Sequence, residues 1–594
     1  MLSIVLPIYN EKENIKPLLD DFLEFFEKRG IAFEILAVND GSTDGTCEVL
    51  KKYASNKNIS VIEHSHNLGY GAALRSGFKK ARGDLIFFTD SDRQFDIKEI
   101  STFLEKIKDY DFVAGFRKKR RDPWFRLFYA WLFSVASRIL FGIKVKDIDC
   151  AFKLFKSNVI KGMPLSSDGA LINLEIFSHA KKSGYKFLQL PVSHLPREKG
   201  KQTGGSLRVI GRAVINIFSL WKKVYKQEIY DFFSLLGIAG FFIFLSYFIS
   251  FFSVGVLHDS LPFLRDIWLR WDARHYIDVA ENWYNNPLNS TGESYFNIVF
   301  FPLYPIAIRI TSTVFKNYFW SAIFVSNLCY IVSIVYLFKL VLIDFSKKTA
   351  FWAVLLFSLF PTAYFLHLPY SEGIFLALLL ASFYYARKER WSTACILAAF
   401  TTATRLVGIV VIPALLLEYM HQKKFCLGNI KKDILWFLTI PLGFFYYLHL
   451  NVFIYGSPFA FLSLTSEHWF KRFSWPWIGI WHTARAFLGQ SGWQKLIVSG
   501  AELFFIFLVL LILIVGIRKL RPSYSVFGFL TLFLITSTSY LMSLPRYTLS
   551  IFPIFIVLAF LTEKKQLLST LLLVFSTSFY MLFLILYSLG NWTF

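Results

Sequence analysis

Short apolar runs alternate with amphipathic stretches over the first hundred or so positions. LSIVLPIY (2–9), FEILAVND (33–40), ISVIEHS (59–65) and DLIFFTDSD (84–92) have the near-continuous apolar character of strands buried on both faces of a parallel sheet. Helical periodicity fills the gaps, from 13 to 30, from near Asp44 and from beyond Gly69-Tyr70-Gly71. Repeated βα units predict a parallel sheet with right-handed crossovers. Ligands of such sheets lie beyond the C-terminal strand ends. The polar residues gather there: Asn10 and Glu11, Asn39 and Asp40, Asp90 and Asp92.

From Phe232 the pattern changes to long apolar stretches. A span needs about 20 mostly apolar residues. Roughly eleven are predicted, near 233–256, 318–343, 349–366, 371–387, 391–404, 404–420, 434–455, 498–517, 524–542, 546–562 and 567–589. The stretch 391–420 reads as two short helices turning near Arg405. Basic runs at Lys222-Lys223, Lys347-Lys348, RKER (387–390), Lys423-Lys424, RKLR (518–521) and Lys564-Lys565 then fall on one side, as the positive-inside rule requires. Two long loops, near 257–317 and 456–497, fall on the other.

Composition agrees. The 594 residues are 55% apolar, with 67 Phe and a formal net charge of +23, and the mean hydropathy is +0.46. This excludes a disordered chain, a collagen-like chain and an ordinary soluble enzyme. Asp and Glu number 27 in residues 1–231 and 14 thereafter, so a soluble domain over 1–225 precedes a membrane domain over 226–594. The basic excess suits an anionic membrane surface; because the basic runs border the spans, nucleic-acid binding is not expected. Cys47, Cys150, Cys329, Cys395 and Cys426 show neither metal-ligand spacing nor a disulfide framework. The opening MLSIVLPIYN lacks the features of a signal peptide, so the first domain is expected to be cytoplasmic and the whole an integral protein of the cell membrane.

Asp90-Ser91-Asp92 is the first chemical signal. Two carboxylates at a strand end can share one hard cation, and Mg²⁺ or Mn²⁺ favours such oxygens together with substrate phosphates. Gln94 adds a neutral oxygen. A lone Asp-x-Asp also suits a solvated turn; Glu11 and Asp40 on neighbouring strand ends favour the metal. PIYNE (7–11), VNDGSTDGT (38–46), NLGYGAALRSG (67–77) and DSDRQFD (90–96) resemble family 2 glycosyltransferases, and among them polyprenyl-phosphate sugar synthases of the dolichyl-phosphate mannose synthase type. The resemblance covers about 1–225. It implies a Rossmann-like glycosyltransferase A fold, a nucleotide-diphosphate sugar donor (GDP-mannose is the first choice) and a polyprenyl phosphate acceptor. It assigns the donor to Pro7, Glu11, Asp40, Asp90 and Gln94, the metal to Asp90, Asp92 and Gln94, and catalysis to Asp92. AGFRKKRRDPWFR (114–126), KDIDCAFKLFK (146–156) and HLPREKGKQTGGSL (194–207) are basic. Arg117, Arg126, Lys153 and Arg197 are the expected lipid-phosphate contacts, although Ala151 and Lys153 stand where the family commonly has Gly and Arg.

RDIWLRWDARHYIDVAENWY (265–284) carries the second signal. On a helix Asp272, His275 and Tyr276 share one face; an interfacial helix with solvated charges would look similar. WDARHY, FFPLYP (300–305), PTAYFLHLPYSEG (361–373), TRLVG (404–408) and LPRYTLSIFP (544–553) resemble PIG-V-type mannosyltransferases of the glycosyltransferase C fold over about 255–562. That resemblance implies a polyprenyl-phosphate sugar donor, an extracytoplasmic hydroxyl acceptor on a glycan, lipid or protein, and an acidic base in the first outer loop. Asp272 falls on that position, with Asp266 its rival. Arg405 and Arg546 are expected to hold the lipid phosphate, supported by His275 and Glu372, since intramembrane charges are functional by default. The expectation is thus a bifunctional membrane glycosyltransferase; the alternatives are a synthase with an anchoring or lipid-transporting membrane region, or a transporter.

Overall fold

The computed structural model describes residues 1–118, 124–196, 207–258, 264–284, 297–489, 491–492 and 495–593. The chain divides into two compact units, Met1–Tyr230 and Asp231–Phe594.

The first unit is an α/β sheet. Strands β1 (Leu2–Ile8), β2 (Phe33–Asn39), β3 (Ile59–Glu63), β4 (Leu85–Phe88), β5 (Phe112–Arg117), β6 (Lys153–Lys156) and β7 (Phe187–Val192) pair in the order β3-β2-β1-β4-β6-β5-β7. Every residue of β1 and β2 is buried, which is why neither run alternates in polarity. β1 pairs in parallel with β2 and β4, whereas β6 runs antiparallel between β4 and β5. The fourth expected strand is shorter than its apolar run suggests: β4 ends at Phe88, so Asp90 and Asp92 sit in the loop beyond it. Gly41, at φ +70°, occupies a turn where any Cβ would meet the His66–Asn67 backbone; glycine alone takes that geometry without cost.

The second unit is helical. Among the described residues five helices are long and apolar enough to cross a membrane: Lys226–Gly255, Tyr318–Val341, Lys432–Tyr455, Leu496–Gly516 and Gln566–Ser588. At the other six expected spans the helices are shorter: Lys347–Ser358, Glu372–Arg387, Trp391–Thr402, Val411–Gln422, Pro522–Thr536 and Pro553–Lys564. A 12-residue helix rises about 18 Å against a hydrocarbon core of about 30 Å. Prolines explain several of the breaks, because each removes a backbone donor: Pro361 and Pro369 lie in the gap before Glu372, and Pro545 and Pro553 follow the 522–536 helix. Residues 359–371 are non-helical over most of their length and all buried. Most of their side-chain polar groups find partners inside the unit: Thr362 Oγ1 donates to Pro545 O (2.9 Å), Tyr364 to Thr593 O (3.0 Å) and Tyr370 to Arg270 O (3.1 Å), while His367 Nδ1 meets Asn327 Oδ1 (3.1 Å) and its Nε2 is buried without a hydrogen bond. Irregular backbone at membrane depth persists only under such cover.

Candidate functional site

In the first unit the strand ends are stitched together. Ser91 Oγ donates to Pro7 O (2.9 Å), tying the β4 loop to the end of β1. Arg93 takes a positive φ of 60°, and the Gln94 N–H returns to Asp92 Oδ1 (3.3 Å). Asp90 lies beside Asp92, and its Oδ1 is buried without a hydrogen-bond partner. The Tyr70 hydroxyl faces it and favours the charged form, yet makes no hydrogen bond of normal geometry to it. Burial, and then the neighbouring Asp92 charge, push the Asp90 carboxyl up to about 7. An orphaned carboxylate oxygen beside a second carboxylate suits a hard divalent cation. Gln94 spends its side-chain N–H on Leu195 O (3.1 Å).

Glu11 starts the first helix: its N–H donates to Thr46 Oγ1 (3.0 Å), and its Oε2 accepts from Asn14 (2.6 Å). Asp40 is buried and heavily used. It accepts from the N–H groups of Leu68 (2.9 Å) and Gly69 (2.8 Å) and from His64 Nδ1 (2.7 Å). It therefore holds the 64–69 loop against the end of β2. Arg117, at the end of β5, forks onto Asp147 through Nε (2.7 Å) and Nη2 (3.0 Å), the bidentate geometry that favours arginine.

Lys153 corrects an expectation. Its side chain is fully buried, with Nζ donating to Cys150 O (2.5 Å), Asn173 Oδ1 (2.6 Å) and Ile148 O (3.2 Å). An ammonium has three protons, and all are spent, so Lys153 is a core cation rather than a phosphate contact. Arg197 lies outside the described residues. Arg126 belongs to the Trp124–Phe141 helix, but its side chain also lies outside them.

In the second unit four residues distant in sequence meet. Asp272 opens the Asp272–Asn282 helix and Glu372 the Glu372–Arg387 helix, where the positive helix ends favour acids. Arg405 sits in the break between Trp391–Thr402 and the turn Leu406–Val410, and Arg546 in the short helix Leu544–Thr548. Arg546 Nε donates to Glu372 Oε1 (2.5 Å) and Nη1 to Asp272 Oδ2 (2.7 Å). Arg405 also pairs with Glu372 Oε1. The Arg546 guanidinium lies 4.5 Å from the Tyr370 ring centroid and 4.9 Å from that of Phe365, a setting a lysine could not match. Trp271 (φ 45°) and Ser543 (φ 65°) bring strained backbone to either side of the cluster.

This cluster borders a cavity of about 270 Å³ lined by Asp272, Tyr276, Arg405, Lys471, Arg546 and Tyr547, among others. Glu372 stands behind the arginines, fully buried. His275 Nδ1 meets Asn297 Oδ1 (2.9 Å), whose amide donates to Asp278 (2.5 Å), and its ring stacks on Phe300 at 4.8 Å. Asp266 is exposed and does not line the cavity. Lys471 escaped the sequence reading, since a lysine beside Trp469 and Phe470 in a long outer loop looks like an ordinary interfacial residue.

The first unit is thus a seven-stranded α/β sheet with two neighbouring carboxylates beyond β4, and the second a helical unit with buried charges at a cavity. Comparison with known proteins sharpens this. Residues 3–163 match the model of Glycosyl transferase family 2, and residues 301–450 match that of Dolichyl-phosphate-mannose-protein mannosyltransferase. The first unit is thus similar to family 2 glycosyltransferases over residues 3–163, and the second is similar to that mannosyltransferase family over residues 301–450.

Similar proteins include an undecaprenyl-phosphate 4-deoxy-4-formamido-L-arabinose transferase of Edwardsiella ictaluri (30% identical over 213 residues, 35% of this chain and 64% of that one). Another is a dodecaprenyl-phosphate galacturonate synthase of Rhizobium johnstonii (29% over 247 residues, 40% and 71%). The chain therefore spans a little under two thirds of the first relative's length. Among solved structures, glucosyl-3-phosphoglycerate synthase of Mycobacterium tuberculosis is similar at 18% identity and a TM-score of 0.30, covering 38% of this chain and 78% of that one.

Proposed function

We propose that the chain is a bifunctional membrane glycosyltransferase working in two steps. The first unit, on the cytoplasmic side, transfers a hexose from a nucleotide-diphosphate sugar to a polyprenyl phosphate. The second unit, an assembly of about eleven membrane crossings, transfers that lipid-linked sugar to a hydroxyl on the outer side. Mannose from GDP-mannose remains our choice of sugar, although the relatives' names speak of a formamido-arabinose and a galacturonate. The observation that carries the reading is the separation of two carboxylate sites, Asp90 with Asp92 in one unit and Asp272 with Arg546 in the other.

The two acceptors call for different chemistry. A phosphate monoester, with a second pKa of about 6, is largely ionised at neutral pH and attacks the sugar carbon without a base. In the first unit Asp90 and Asp92, with Gln94 near them, would hold Mg²⁺ or Mn²⁺. The ion would neutralise charge on the leaving nucleotide diphosphate. Pro7, Glu11 and Asp40 shape the donor site around them, Arg117 meets the acceptor phosphate, and Arg126 and Arg197 remain assigned to it by the resemblance alone. A hydroxyl acceptor does need a proton acceptor. Asp272 takes that proton as the oxygen bonds to the sugar carbon, and the carbon–oxygen bond to the lipid phosphate breaks. Arg405 and Arg546 face the leaving phosphate, Glu372 holds them, and His275 orients the acceptor.

The test uses purified full-length protein with a panel of nucleotide sugars, a short polyprenyl phosphate and Mg²⁺ or Mn²⁺, read by mass spectrometry of the lipid. A lipid-linked sugar formed by the wild type and lost in Asp92→Ala supports the first step. Its formation unchanged in Asp92→Ala would overturn it. Protease mapping that puts Asp92 and Asp272 in one compartment would overturn the two-sided scheme.

A further inference from the structure

The proposed outer site has an uneven charge distribution. Arg546 is engaged by both Asp272 and Glu372, and Arg405 by Glu372. These two cations and two carboxylates balance one another, with Glu372 behind the cavity wall and the other three in it. Lys471 lines the same cavity and, among the described residues, forms no ion pair with a carboxylate. Its Nζ donates to Met542 O (3.0 Å) and lies 5.3 Å from the Tyr547 ring centroid, so the ammonium is held beside Arg546 with protons to spare. Glu502 exerts an electrostatic pull on Lys471, but Glu502 does not line this cavity. Its two oxygens accept the N–H groups of Ser543 (2.7 Å) and Leu544 (2.8 Å).

We infer that Lys471 is a direct phosphate contact of the lipid-linked donor, supplying the uncompensated positive charge that the paired arginines lack. The inference rests on the outer-site reading above and deepens it. A phosphomonoester or phosphodiester headgroup entering the cavity meets guanidinium groups already engaged by carboxylates and one ammonium that is not. A compact ammonium suits that role, since it binds phosphate as a point charge and needs no planar partner. Lys471 also holds the carbonyl of Met542, four residues before Arg546, and a purely structural function would act through that bond.

The experiment is photolabelling of the full-length protein in detergent with a benzophenone analogue of farnesyl phosphate, and in parallel with the matching farnesol analogue. Labelled peptides are mapped by mass spectrometry, so labelling of the second unit is read separately from labelling of the first. Lys471→Gln is expected to raise the half-saturating concentration of the phosphate probe at second-unit peptides about tenfold, equivalent to about 1.4 kcal/mol. Labelling of first-unit peptides and labelling by the farnesol probe stay unchanged, and Lys471→Arg retains most of the wild-type affinity. A shift below twofold overturns the inference while leaving the outer-site reading intact. Equal loss of both probes assigns Lys471 to holding the 542–546 segment and likewise overturns it. Absence of second-unit labelling in the wild type overturns the outer-site reading itself.

Discussion

Replacing Asp272 by Asn exchanges one oxygen for nitrogen and removes one charge, with two consequences of different size. The first is structural. Asp272 is 26% exposed and Arg546 5%, so the pair lies between a screened surface contact and a buried one. Arg546 keeps its 2.5 Å contact with Glu372. The folding cost is then about 1–2 kcal/mol, above the 0–1 of surface pairs and below the 3–5 of broken buried pairs. The second is chemical. Arg546 occupies Oδ2, and among the described residues Oδ1 accepts no hydrogen bond, which leaves it for an incoming hydroxyl. Losing a general base slows transfer about 10²- to 10⁴-fold, or roughly 3–5 kcal/mol at 1.36 kcal/mol per decade. The chemical loss therefore exceeds the structural one, and a folded but stalled enzyme is expected. In membranes of the source cell carrying the variant, the lipid-linked sugar should accumulate while its synthesis from nucleotide sugar continues at the wild-type rate. Consumption of the lipid-linked sugar within threefold of wild type would refute the base assignment. A parallel fall of synthesis and consumption would refute the independence of the two sites.

Three further outcomes follow from other contacts. Mn²⁺ affinity, read by electron paramagnetic resonance, should be flat above pH 7 and weaken about tenfold per pH unit below it, because Asp90 titrates near 7 and must lose its proton to bind. The sign for folding is the reverse of that for an ion-paired acid. A raised carboxyl pKa penalises the charged native state fully above pH 7, and the penalty fades as pH falls from 7 toward the ordinary value of 3.8. Glu372→Gln leaves two buried guanidinium groups facing one another, so thermal unfolding in detergent should show a loss of about 3–5 kcal/mol, larger than for Asp272→Asn. Gly443→Ala places a methyl against the Ala399 carbonyl, where the Leu442–Tyr455 and Trp391–Thr402 helices approach closely. Overpacking of about 1–3 kcal/mol should reduce the folded fraction on size-exclusion chromatography.

The sheet was legible because burial on both faces writes itself into sequence as unbroken apolar runs, and β1 and β2 are buried throughout. Its antiparallel strand was not: β6 is four residues long and lies between β4 and β5, a pairing no local pattern encodes. Lys153 misled for a related reason. A lysine in a basic stretch looks solvated, and only the tertiary fold places three carbonyl oxygens around its ammonium. In the helical unit apolarity marked the helices but overstated the length of many. Residues 359–371 are as apolar as a span, yet prolines and buried partners hold most of them out of a helix. Motifs singled out Asp272, Glu372, Arg405 and Arg546 one at a time. That Arg546 bridges two carboxylates lying 174 and 274 residues away appears only once the chain is folded.

The arrangement of these charges bears on how one chain can run both proposed steps. Three or more charged groups inside an apolar unit are costly unless paired. Glu372 meets that cost for Arg405 and Arg546 together, being fully buried against both. Had the arginines been left unpaired, they would bind the phosphate of the spent carrier as firmly as that of the loaded one, and release would slow. Pairing lowers their pull and leaves the difference between loaded and spent carrier to be made at Asp272, the quarter-exposed carboxylate, and by the sugar that only the loaded carrier brings. On this reasoning Glu372 governs turnover more than recognition. Its isosteric Gln variant, where folded, should bind polyprenyl phosphate more tightly than wild type and release it more slowly, whereas a purely structural Glu372 would leave both unchanged.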